Sequence, residues 1–426
     1  MSYANPLSER RKYVFSIHGV TNRNHWRQRQ EQRRSRHYRS RIPQSASLFD
    51  RLIHPENLLQ VFLRLRASAG QAPGVDRLRY TDVSASEMAG ILRVISAEIR
   101  DGYYRPQPTR KVRVPKTRGG HRTLRLGTII DRVVSSAVLE AIGTDIDSRF
   151  LPNSFGFRPH RSTWQMLAYL ESTMLERRWS VLAIDDVRQA FDHVPIARLR
   201  PFIAEAVDEK IVALIERILR GSNRSMNPIG VDQGNALSPL LLNLLLHEHL
   251  DRPWTTDNSK PVLARYADNI ALVCQDVSGG HEGLHAVAGC LQAVGLTLKG
   301  HDGPPVDLSD GNNQVELLGF VIRQGEMGLQ FDPGREAWAN LAQAFRKAHL
   351  ASSPPTAARL AAIGWLEAYG PALNAEMRPT VDRIYREAVR AGHTELALRG
   401  DLELTAVHAH QRWERVRAMY STSNPA

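Results

Sequence analysis

Cysteine is nearly missing: the 426 residues hold two, Cys274 and Cys290. Two thiols cannot build a disulfide framework or a four-cysteine zinc site, and their scarcity fits a reducing compartment. No uninterrupted apolar run of about 18 residues occurs, and no apolar stretch lies near Met1. A membrane span and a secretory signal are therefore not expected, and the chain reads as cytoplasmic. Repeats of about 20–50 residues are also lacking, which excludes a solenoid or propeller. What is present is ordinary globular usage, 42% apolar and 23% charged, which argues against a disordered chain, a collagen and a coiled-coil rod. The length suits about two to three packed units.

Acidic residues are in deficit, 44 against 56 Lys+Arg, for a net charge of +12. Residues 1–42 alone carry +9, with Arg27, Arg29, Arg33, Arg34 and Arg36 at the centre of an arm that also holds Trp26 and Tyr38. Such an arm attracts a phosphate-rich partner, because each neutralised phosphate releases condensed counterions. Arginine in place of lysine further favours stacking on unpaired bases. A solvated tail that only aids solubility is the plainer alternative.

Apolar spacing predicts an amphipathic helix from Ser86 to Arg100 and further helices over Ser162–Arg178 and Ile211–Arg220. Lys111 to Lys116 and Arg122 to Leu126 alternate as strands of a basic hairpin. Val181–Ile184 reads as a short buried strand, and the Leu-rich run after Pro239 as a buried helix begun at a proline. Val262–Tyr266 and Ile270–Val273 read as two strands about a tight turn. Gly300–Asn313 and Ala351–Thr356 look like joints, and the remaining tail looks helical. Strands and helices interleave without doubly wound regularity, so the fold class is α+β.

Asp186 and Asp268 each end an apolar strand, about eighty residues apart. Carboxylates are costly to bury uncompensated. Two that face each other form a hard-oxygen Mg²⁺ site suited to phosphoryl transfer. Taken alone, the pairing is weak evidence, because aspartates at strand ends more often serve as caps or turn formers.

Further motifs carry a resemblance. Asp186-Val187-Arg188-Gln189-Ala190-Phe191-Asp192-His193-Val194 resembles the first catalytic motif of reverse transcriptases, particularly the group II intron type. Gln233-Gly234-Asn235-Ala236-Leu237-Ser238-Pro239, followed by Asn243, resembles their second palm motif. Tyr266-Ala267-Asp268-Asn269 resembles the Tyr-Ala-Asp-Asp box, and Leu317-Leu318-Gly319-Phe320 the primer grip. Gly74-Val75-Asp76, Tyr104-Arg105-Pro106, Val114-Pro115-Lys116, Asp131-Arg132 and Ser154-Phe155-Gly156-Phe157-Arg158-Pro159-His160-Arg161-Ser162 precede them in the family's order, so the likeness spans roughly residues 58–325.

The resemblance implies a right-hand polymerase fold. Residues 1–57 would be a basic RNA-binding extension, 58–330 fingers and a palm with an antiparallel sheet, and 331–426 a helical thumb and tail. It implies a catalytic set of Asp186, Asp268 and Asn269, with two Mg²⁺ ions held by Asp186, Asp268 and the Val187 carbonyl. Lys116 and Arg122 would grip the triphosphate of a dNTP, with a solvated face as the alternative. Phe191 would lie under the sugar and exclude a 2′-hydroxyl, with ordinary core as the alternative. Gln233 and Gly234 would meet the nucleotide, and Arg158, Arg161, Leu318 and Gly319 the nucleic acid. An RNA template and a DNA product follow.

Two departures stand out. Asn269 replaces a second aspartate and removes a negative charge from the site. The family's lysine that protonates pyrophosphate is missing downstream of Leu298, where Lys299 or His301 would substitute. After the thumb, no paired Cys-x-x-Cys ligands and no endonuclease pattern appear. The chain therefore resembles stand-alone bacterial reverse transcriptases of phage defence, which copy a structured noncoding RNA. A protein partner or homo-oligomer is open. The alternatives are a catalytically weakened RNA-binding subunit or maturase-like scaffold, and an RNA-synthesising polymerase, against which Phe191 argues.

Overall fold

The computed structural model describes residues 46–115, 120–221, 229–256, 260–300, 303–326, 328–373, 378–398 and 401–421. The arginine arm with Arg27, Arg29, Arg33, Arg34 and Arg36 lies outside the described residues, as do Lys116 and His301. The chain divides into two compact units, and it passes between them more than once. Of the described residues, one gathers those through Val114, His121–Phe150 and Gln189–His247; the other gathers Pro115, Gly120, Leu151–Arg188 and those from Glu248 onward.

The first unit is mainly helical. It contains α1 (Leu48–Ile53), α2 (Pro55–Ser68) and α3 (Ala85–Arg100), then the hairpin β1 (Arg110–Pro115) and β2 (His121–Leu126), then α4 (Ile129–Asp147). Helix α3 begins where Ser84 and Glu87 form a reciprocal cap, each satisfying an amide of the other. It buries Met88, Ile91, Leu92, Ile95 and Ile99, which is the face that the apolar spacing predicts.

The second unit contributes α5 (Thr163–Arg177) and β3 (Val181–Asp186) next in the chain. The first unit resumes with α6 (Ala190–His193), α7 (Ile196–Ala204), α8 (Glu209–Arg220) and α9 (Ser238–Leu246). Helix α8 is capped by Asp208 and buries Ile211, Leu214, Ile215 and Ile218.

In the rest of the second unit, α10 (Arg252–Thr255), β4 (Val262–Tyr266), β5 (Asn269–Cys274), α11 (Val277–Gln292) and β6 (Val306–Asp307) follow. Their sheet has the order β4-β5-β3-β6 and is antiparallel throughout. Val181–Ile184 of β3 are apolar and buried because helices cover both faces, and only the strand's last two residues are acidic. Leu182 and Ile184 pack with Met166 and Leu167 of α5. Ala183, pointing the other way, meets α11, where Gly280 sits so close to Ala183 and Pro305 that an added Cβ would come within 2.6 Å of the proline. Gly300–Asn313, which reads as a joint in sequence, supplies the edge strand β6: Val306 and Asp307 pair with Leu182 and Val181.

A meander of β7 (Val315–Leu317), β8 (Phe320–Gly325) and β9 (Gly328–Pro333) joins the same core through Phe320, Ile322 and Phe331. Helices α12 (Arg335–Ala348), α13 (Pro354–Ala368), α14 (Arg378–Arg390) and α15 (Asp401–Ser421) complete the chain. They surround Trp338, Leu341, Phe345, Trp365, Ile384 and Leu402. Among the described residues, no helix is long and apolar enough to cross a membrane.

Candidate active site

Strand register brings the acidic residues side by side. Asp186, the last residue of β3, pairs with Asn269, the first of β5, and the two-residue hairpin loop between β4 and β5 is Ala267-Asp268. Ala267 takes φ 56°, the left-handed value that a tight primed hairpin turn requires at its first position. The Val187 amide donates to the Asp268 carbonyl at 2.9 Å, which ties the turn to the end of β3. Strand alternation turns Asp185 to the opposite face, where its carboxylate accepts from the Gly300 amide at 3.1 Å on both oxygens. Asp185 thus anchors the chain and is not a third acid of the Asp186 side.

Thr297–Gly300 runs alongside. The Arg188 amide donates to the Thr297 carbonyl, the Lys299 amide to the Asp186 carbonyl, and the Arg188 guanidinium to the Lys299 carbonyl, each at 2.8 Å. This clamp lays Lys299 against the site, its Nζ 2.8 Å from an Asp186 carboxylate oxygen. Asn269 sends its amide weakly toward the Tyr266 carbonyl at 3.4 Å and the Asp268 carboxylate at 3.5 Å. Burial pushes the Asp268 carboxyl above its ordinary value; the like charge of Asp186 adds to the push, and Lys299 and Arg265 oppose it.

The chemistry of this donor set fits a hard divalent cation. Two neighbouring carboxylates, one largely desolvated, gain from a shared positive ion. Among the described residues no group of three or more His, Cys, Asp or Glu side chains is set to hold a metal. The remaining ligands would therefore be backbone carbonyls, water and substrate phosphate, which is how Mg²⁺ ordinarily binds with few carboxylates.

One support is not evident from the motifs. Arg265, wholly buried, donates from Nε and Nη2 to the two carboxylate oxygens of Asp251 at 2.9 and 2.6 Å. It also donates to the Ser154 hydroxyl and the Ala267 carbonyl, both at 2.9 Å. The available signal was an arginine inside an otherwise apolar strand, with an aspartate closing a Leu-rich helix fourteen residues earlier. Asn153–Gly156 lies against the same strand: the Phe155 amide donates to the Arg265 carbonyl and the Arg265 amide to the Asn153 carbonyl, each at 2.8 Å.

Arg158 is buried, and its Nη1 donates to the Leu151 and Ser154 carbonyls at 2.7 and 2.8 Å, so its charge is turned inward. Arg161 is half-buried, 5.7 Å over the Phe155 ring and 3.4 Å from the Tyr420 hydroxyl. Leu318 and Gly319 form the β7–β8 turn with φ 51° and 84°, and the Gly334 amide donates to the Gly319 carbonyl at 2.9 Å.

The first unit brings a second set together. Arg122 stands exposed on β2. The Arg125 amide donates to the Gln233 carbonyl at 2.7 Å, and the Arg125 guanidinium pairs with Asp232 at 3.2 Å. Gly234, at φ 113°, is pressed so near the Arg125 carbonyl that an added Cβ would lie 2.9 Å from it. Its lack of a side chain thus serves the chain's own backbone. Phe191 is half-buried, and its carbonyl accepts from the Val231 amide at 2.7 Å.

Residues 114–301, which contain both carboxylates and the basic hairpin's second strand, match the family model of reverse transcriptase (RNA-dependent DNA polymerase). With the antiparallel sheet that carries Asp186 and Asp268, this gives an α+β right-hand polymerase fold. Protein YkfC of Escherichia coli is 28% identical over 197 residues, 44% of this chain and 51% of its own length. The group II intron-encoded protein LtrA of Lactococcus lactis is 30% identical over 164 residues, 37% of this chain and 27% of its own. The chain thus spans about half or less of the length of these relatives. A telomerase from Candida albicans, solved with a fragment of telomeric RNA, covers 75% of this chain and 67% of its own at 10% identity and a TM-score of 0.42, too loose a likeness to argue from.

Proposed function

We propose that this protein is an Mg²⁺-dependent RNA-directed DNA polymerase. The observation that carries the reading is the pair of carboxylates on adjacent strand ends, Asp186 and Asp268, inside the segment that matches the reverse transcriptase model. Fingers and palm are assigned to residues 58–330, the thumb to 331–426 and an RNA-holding extension to 1–57. Asp186, Asp268 and the Val187 carbonyl would hold two Mg²⁺ ions, which would supply charge stabilisation for phosphoryl transfer.

The chain's own residues do the rest. Arg122 and Lys116 grip the triphosphate, arginine as a bidentate fork and lysine as a point charge. Phe191 excludes a 2′-hydroxyl, Gln233 and Gly234 meet the nucleotide, and Arg161, Leu318 and Gly319 steady the nucleic acid. Lys299, held beside Asp186, stands in for the missing downstream lysine as the positive charge at the departing phosphates. The arginine-rich arm supports a structured noncoding RNA as template partner, and the role we assign to that partnership is antiphage defence in the cytoplasm.

Purified protein with its co-purifying RNA, dNTPs and Mg²⁺ should extend DNA. Asp186→Ala and Asp268→Ala should each lower the rate by at least about 1000-fold, the scale on which electrostatic stabilisation of the transition state operates. Equal product from the variants would overturn the assignment. Asn269 and the Lys299–Asp186 pair favour a second reading, a weakened RNA-binding scaffold, because both reduce the site's negative charge. On that reading wild type is nearly inert and Asn269→Asp restores synthesis.

A further inference from the structure

We infer that Arg265 is a positioning residue for Asp268, working through the buried cluster Asp251–Arg265–Ser154–Ala267. The inference rests on reading Asp268 as a cation-holding carboxylate. Arg265 and Asp251 are each 0% exposed, and burying their charges is costly. A buried ion pair of this kind is weak evidence of stability, since well-packed apolar side chains of similar size often serve as well or better. What apolar side chains cannot supply is direction.

The guanidinium fork is planar and always charged, so fixing two of its edges on Asp251 and Ser154 aims the remaining donor. That donor meets the Ala267 carbonyl at 2.9 Å. Because a peptide unit is planar, holding this carbonyl fixes the plane that precedes Asp268. The plane that follows is fixed by the Val187 amide, which donates to the Asp268 carbonyl at 2.9 Å. With both flanking planes held, Asp268 keeps only its side-chain rotations. Ala267 itself is an alanine at φ 56°, a strained value that persists only where the surroundings over-determine it. The arginine is one part of that over-determination and the close-packed Gly156 is another.

Arg265→Lys keeps the charge opposite Asp251 but loses the fork, and a double Arg265→Met/Asp251→Leu variant removes both charges together. In full-length protein both should melt near wild type, yet amide exchange at Ala267, Asp268 and Asn269 should quicken by about tenfold or more. Titration with Mn²⁺ should show weaker binding, and extension should fall about 10- to 100-fold in kcat with KM for dNTP unchanged, as expected when a reacting group is misplaced by about an ångström. Wild-type exchange and Mn²⁺ affinity in Arg265→Lys would overturn the inference. Should the double variant fail to fold, Arg265→Lys decides alone, and wild-type behaviour in it overturns the inference. If wild type extends no primer while the variants lose protection and Mn²⁺ affinity, the polymerase reading fails and the positioning role stands.

Discussion

Asp268 sits in an environment that works against its own charge. Burial raises its carboxyl above the ordinary value, and Asp186 adds to the effect. A group whose folded-state pKa lies above its unfolded value contributes stability below the unfolded pKa and loses it as pH rises through the folded one. At neutral pH the ionised side chain is therefore a burden when no cation is bound. Asp268→Asn should melt higher than wild type in chelator at neutral pH, and the gap should close as pH falls from the raised folded value to the ordinary aspartate value. Added Mg²⁺ should stabilise wild type and leave Asp268→Asn unmoved, since only a state that binds the ion gains from it. Thermal melts across pH with and without Mg²⁺ check both halves; a variant no more stable than wild type in chelator would show that the site carries no such strain.

The element that makes the site is the β4–β5 hairpin braced by the Asn153–Gly156 segment. An added Cβ on Gly156 would lie 2.3 Å from the Ala267 amide nitrogen, so no side chain fits without moving the turn. Gly156→Ala should cost about 1–3 kcal/mol in denaturant unfolding, the usual range for overpacking, and should lower extension more than Gly289→Ala, a helical glycine with open space at its Cβ. Comparable activity of the two would remove the hairpin from its positioning role. The paired strands and their terminal carboxylates were legible in sequence because short apolar runs ending in aspartate and a tight turn leave local signatures. Arg265 with Asp251, Gly156 against Ala267, Asp185 on Gly300 and the edge strand β6 were not legible. Each depends on pairing between segments distant in sequence, and no local periodicity records that. Arg158 shows the converse: a basic residue in a nucleic-acid motif is spent on the Leu151 and Ser154 carbonyls.

At the scale of the whole molecule, the chain builds two units from interleaved segments and keeps its positive charge uneven, +9 in residues 1–42 and +3 in all the others. The carboxylates, their clamp and the Arg265 cluster all belong to one unit, so the proposed cation site lies within a single packed core. Crystals of the full-length protein soaked in Mn²⁺ would test this most directly by anomalous diffraction. Anomalous density should bridge the Asp186 and Asp268 carboxylates, with Lys299 displaced from Asp186, and no such density should appear in Asp268→Asn. Crystals that take up Mn²⁺ elsewhere and leave those two carboxylates without density would contradict that placement.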